Sequence, residues 1–68
     1  MEVVKNIEKY CRLHGISIKR FEILCGIANG RVRGWRLKGE TPTLRILKRI
    51  AKATGVPVEK WTKEGGIK

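Results

Sequence analysis

The sequence predicts an all-α fold, a compact bundle of five short helices around one core. Three observations point there. Apolar residues recur at three- and four-residue steps in five separate stretches, the spacing of amphipathic helices. Glycine, proline or a capping Ser or Thr bounds each stretch. No segment alternates apolar and polar residues as a half-buried strand does, and no internal repeat or linker divides the chain.

Val3, Val4, Ile7, Tyr10, Cys11 and His14 keep helical spacing, so the first helix runs from Glu2 to about Leu13, with Gly15 just past its end. Ser17 caps a second helix over Ile18–Cys25, although Arg20 stands where a capping box has its glutamate. Gly26 supplies a sharp turn. Phe21, Cys25, Ile27, Val32 and Trp35 then let the helices on either side share one apolar seam. The third helix spans about Ala28 to Leu37 and stops near Gly39. Its two glycines, Gly30 and Gly34, cost about 1 kcal/mol each relative to alanine.

Either Thr41, with Pro42 at the first helical position, or Thr43 caps the fourth helix, Leu44–Thr54. That helix turns Leu44, Leu47, Ile50 and Ala51 inward, and Arg45, Lys48, Arg49 and Lys52 outward as a solvated face. Gly55 closes it, and Pro57 opens a fifth helix that ends at Trp61. Thr62–Lys68 is polar and glycine-containing, and it reads as a flexible tail beyond a domain of residues 1–61.

With 68 residues the chain makes one small domain, and a chain of this size buries only about 60% of its unfolded surface. A deep substrate cleft does not fit. Sixteen Lys and Arg face six acidic residues, all glutamate, for a net charge of +10. That balance favours nucleic acid as partner, ahead of an anionic membrane or an acidic protein. Cys11 and Cys25 read as buried, reduced hydrophobes, since no secretory signal implies an oxidising compartment. No metal site is expected, because there is no CxxC and His14 is the only histidine. No cofactor is implied. The lack of a carboxylate pair or a phosphate-binding glycine loop argues against an enzyme. The apolar runs fall far short of the ~20 residues of a membrane span, so a cytoplasmic protein is expected.

The placement of the charge is more telling than its amount. Lys19 and Arg20 fall in the first turn of the second helix, and Arg31 and Arg33 in the first half of the third. Cations there oppose the helix dipole by about 0.3–1 kcal/mol each. An anionic partner would relieve that cost.

Helix, tight glycine turn and helix, with Ser17, Phe21, Cys25, Gly26, Ile27, Val32 and Trp35 in register, resemble the helix-turn-helix of the lambda repressor and Cro-type (XRE-like) family. The resemblance extends from about Val3 to Trp61, because Pro42 and LRILKRIAKATGVPVEKW look like that family's fourth and fifth helices. The chain also departs from the family pattern. Glu22 stands where the second helix usually packs an alanine, so it is expected to be partly exposed or paired with an arginine. Ile18 replaces a phosphate-contacting glutamine. Many relatives tie the first helix to the end of the third by an Arg–Glu pair; the matching positions here are Cys11 and Arg36, which leaves Arg36 free for a phosphate.

Successive residues 100° apart direct Ala28, Val32 and Trp35 to the core and Asn29, Gly30, Arg33, Gly34 and Leu37 away from it. The resemblance implies that this outer face enters the major groove of double-stranded DNA. Asn29 then suits adenine and Arg33 guanine. Gly30 and Gly34 occupy base-reading positions without side chains, either to allow close approach or because the helix is loose until DNA orders it. Phosphate contacts fall to Ser17, Ile18, Lys19, Arg20, Arg31, Arg36, Lys38, Thr41 and Thr43. Val58 and Trp61 either staple the fifth helix to the first and fourth or form a dimer contact. A homodimer, in solution or only on DNA, stays open.

The function implied is a sequence-specific transcriptional regulator, a stand-alone Cro-like repressor because no ligand-binding domain follows. The alternative is a protein-interaction module on the same scaffold, antitoxin-like or an inhibitor, gripping an acidic partner.

Overall fold

The computed structural model describes residues 2–67. Their regular structure is entirely helical: α1 (Glu2–His14), α2 (Ile18–Cys25), α3 (Arg31–Lys38), α4 (Leu44–Thr54) and α5 (Val58–Thr62). None of these helices is long and apolar enough to cross a membrane. α1 packs against α2, α3 and α5, and α4 against α2 and α5. α3 rests on α1 and α2 and does not reach α4. The result is a globule of 24 × 21 × 20 Å.

The helical spacing explains the core. Ile7, Phe21, Ile50 and Trp61 are completely enclosed, and each comes from a different helix. Tyr10, Phe21 and Trp61 pack as an aromatic triad, with ring centroids 5.7 Å apart for Tyr10–Phe21, 5.5 Å for Tyr10–Trp61 and 5.8 Å for Phe21–Trp61. Such spacing gives edge-on contacts in addition to burial. Cys11 and Cys25 are buried free thiols. Burial, and then the neighbouring Cys11, pushes the Cys25 thiol up to about 11. Burial and then Glu8 raise Cys11.

The caps of α2 and α4 act through side chains. The Ser17 hydroxyl accepts from the Arg20 N–H at 3.0 Å. Thr43 caps α4, accepting from the Ile46 N–H at 3.3 Å, while Pro42 is buried in front of it. Pro57 stands at the N-cap of α5.

α3 begins three residues later than its apolar spacing suggests. Gly30 adopts φ 86°, a left-handed conformation that interrupts any helix passing through it. Ala28 is therefore exposed on the connecting turn, not packed in the core. The cap of α3 comes from the neighbouring helix. Glu22 is 3% exposed, and its Oε1 and Oε2 accept from the Gly30 N–H at 3.2 Å and the Val32 N–H at 3.1 Å. This corrects the expectation of an exposed or arginine-paired Glu22. A carboxylate at a helix N-terminus satisfies donors that no carbonyl of the helix can reach.

Two further expectations change. Leu44 lies at the outer end of α4 and is 58% exposed, so Leu47 and Ile50 carry that helix's burial. The segment after Trp61 packs back on the domain. Asn6, itself buried, donates through Nδ2 to the carbonyls of Lys60, Trp61 and Lys63 at 3.2, 2.7 and 2.9 Å, and Ile67 joins the core. Gly66 passes so close to the Lys60 carbonyl that any Cβ there would collide with it. Trp61 is fully enclosed and donates Nε1–H to the Val56 carbonyl at 3.1 Å. It packs inside this domain as a staple, and Val58 is half-buried.

Candidate nucleic-acid interface

The N-terminal ends of α2 and α3 open onto one cleft of about 380 Å³. Ile18 and Lys19 line it from α2, Asn29 and Gly30 from the turn, and Arg33 and Arg36 from α3. Glu8 of α1 forms one wall. Three cations, one amide and the leading end of α2 thus face a common space with the carboxylates of Glu8 and Glu22. The backbone N–H groups of Ile18 and Lys19 head α2, where no earlier carbonyl of the helix can accept from them.

The leading end of α3 is different. Glu22 already occupies it, so an incoming anion finds no free donors at Gly30 and Val32. The start of α2 offers the Ile18 and Lys19 N–H groups to a ligand, whereas at α3 the Gly30 and Val32 donors are already taken. Asn29 and Gly30, expected on the outer face of a helix, instead sit on the turn before it. Arg33 stands in the first turn of α3, and Gly34 follows it, half-buried but with open space where a Cβ would lie.

Arg36 is not free. Its Nη1 donates to Glu8 Oε2 at 3.1 Å, tying α1 to α3. The arginine side chain is 56% exposed and the glutamate's 32%, and exposed pairs of this kind contribute about 0–1 kcal/mol. A phosphate can therefore exchange with Glu8 at little cost. Sequence reading missed this pair, because Glu8 and Arg36 lie 28 residues apart. Nor did any signal in the sequence announce that Glu22 would be the cap of α3.

The remaining predicted phosphate contacts lie outside the cleft. Ser17, Arg20, Arg31, Lys38, Thr41 and Thr43 are all exposed. Arg20 and Arg31 form no ion pair among the described residues. Thr43 already uses its hydroxyl oxygen as the α4 cap, which leaves the hydroxyl hydrogen to donate outward. The chain matches no described protein family, no curated protein and no solved structure.

Proposed function

We propose that this chain binds double-stranded DNA as a sequence-specific transcriptional regulator, through a helix-turn-helix formed by α2 and α3. The observation that carries the reading is the cleft at the ends of α2 and α3, where Lys19, Asn29, Arg33 and Arg36 meet. In this reading α3 lies along the major groove with Arg33 on a guanine edge, while Asn29 reaches the adjacent base from the turn. The N-terminus of α2, with Lys19 and Arg20, holds one phosphate strand. Arg36 exchanges Glu8 for a phosphate, and Lys38, Thr41 and Thr43 grip beyond α3. These contacts set the register, and Asn29 and Arg33 supply the sequence preference.

Selection from a random duplex library tests it. The wild-type chain enriches a defined motif, and its affinity falls with salt at a log–log slope of about −0.9 per phosphate, for about four phosphates or more. Arg33→Ala loses the preference at one position by about 1–3 kcal/mol. Absent or salt-insensitive duplex binding would overturn the function. Recovery of the wild-type motif by both Arg33→Ala and Asn29→Ala would overturn only the base-reading roles.

A further inference from the structure

The outer face of α4 carries charge that the DNA reading does not use. Arg45, Lys48, Arg49 and Lys52 line a shallow groove of about 440 Å³, with Leu44 at its N-terminal end. α4 contains no carboxylate, and none of these four cations forms an ion pair among the described residues. Arg49 has a fixed partner, since its Nη1 donates to the Gly26 carbonyl at 3.3 Å. No residue lines both this groove and the cleft at α2 and α3. The two basic surfaces are separate.

The α4 surface also differs in chemistry from a phosphate-binding one. Leu44 is 58% exposed. The Arg49–Gly26 bond sets the residue that ends α2 beside α4, and in the last turn of α2 Ile23 and Leu24 are 62% and 53% exposed. A phosphate backbone gains nothing from exposed aliphatic side chains. A protein segment with carboxylates beside its apolar residues matches both features, since burial supplies affinity and charge supplies orientation.

We propose that the α4 face, with the C-terminal end of α2, binds an acidic amphipathic helix of a partner protein. The proposal stands apart from the DNA reading, because it uses none of the residues given to DNA.

The test follows amide shifts of the isotope-labelled chain against three probes: a helical peptide with leucines along one face and glutamates beside them, poly-glutamate of equal length, and a DNA duplex. The peptide shifts the amides of 44–52 and 23–24 and leaves those of α3 in place. The exposed-site double variant Ile23→Ser/Leu44→Ser weakens the peptide about tenfold, the loss of partly buried aliphatic area, and leaves poly-glutamate unaffected. Lys48→Glu/Lys52→Glu weakens both. Equal binding of the peptide and poly-glutamate would overturn the proposal, as would shifts spread over every basic surface. So would a duplex that displaces the peptide from the same amides, which would make the face a nucleic-acid surface.

Discussion

Glu22 shows how one side chain settles the position of a helix. Its carboxyl group sits at the crossing of α2 and α3 and accepts from two backbone N–H groups, that of Val32 buried and that of Gly30 partly so. Glu22→Ala leaves both donors unmade and is expected to destabilise the fold by about 1–3 kcal/mol, more than a typical surface substitution. Glu22→Gln keeps one acceptor and costs less, and thermal unfolding distinguishes the two. Glu8 holds Arg36 in an ion pair, so in the DNA reading proposed above it opposes the phosphate contact of that arginine. Glu8→Gln is expected to tighten duplex binding by up to about tenfold at low salt, with the gain shrinking as salt screens the exposed pair. An equal gain at all salt concentrations would show that Glu8 acts by another route.

At the scale of the element, α3 is the most informative helix. It has eight residues, Gly34 within it, and a cap borrowed from α2. Gly34 has a helical backbone and open space around its missing Cβ. Gly34→Ala is therefore expected to stabilise the fold by about 0.5–1 kcal/mol, measured by chemical denaturation. The same variant separates two roles for the glycine. A stabilised chain with unchanged or tighter duplex affinity means that rigidity limits binding, whereas a stabilised chain with weaker affinity means that the backbone must approach the groove.

The limits of sequence reading were also greatest at α3. α2 was legible to the residue because a serine cap and a terminal glycine bound it, and α4 nearly so, its cap lying between Thr41 and Thr43 until the structure chose Thr43. α3 was not, because periodicity places Ala28 on the same face as Val32 but says nothing of the φ of Gly30. Leu44 fits the apolar stripe of α4, yet it lies at an end where no neighbour covers it. In the candidate site, residue types and their rough convergence were legible. The pairing of Arg36 was not, since it depends on a contact 28 residues away in sequence.

Across the whole molecule, the buried thiols tie stability to alkaline pH. In the folded chain Cys25 titrates near 11, against 9.0 for an unperturbed thiol. Below the lower value both states keep the proton and the full stability is present. Between the two, the unfolded chain has released a proton that the folded chain retains, so stability falls as pH rises through that window. Denaturation midpoints measured across it are expected to decline more steeply for the wild-type chain than for Cys25→Ala.

The clasp made by Asn6 has a consequence for how the molecule comes into being. Its carbonyl partners lie 54 to 57 residues further along the chain, and α1 also needs Trp61 to complete its core. A chain growing from its N-terminus has α1 to α4 in hand before either requirement can be met. Its core is expected to close only once the segment carrying Trp61 and Ile67 is present, with cooperative structure appearing together. A nascent chain arrested before Trp61 should remain open to protease along its length, and one released past Ile67 should resist it throughout.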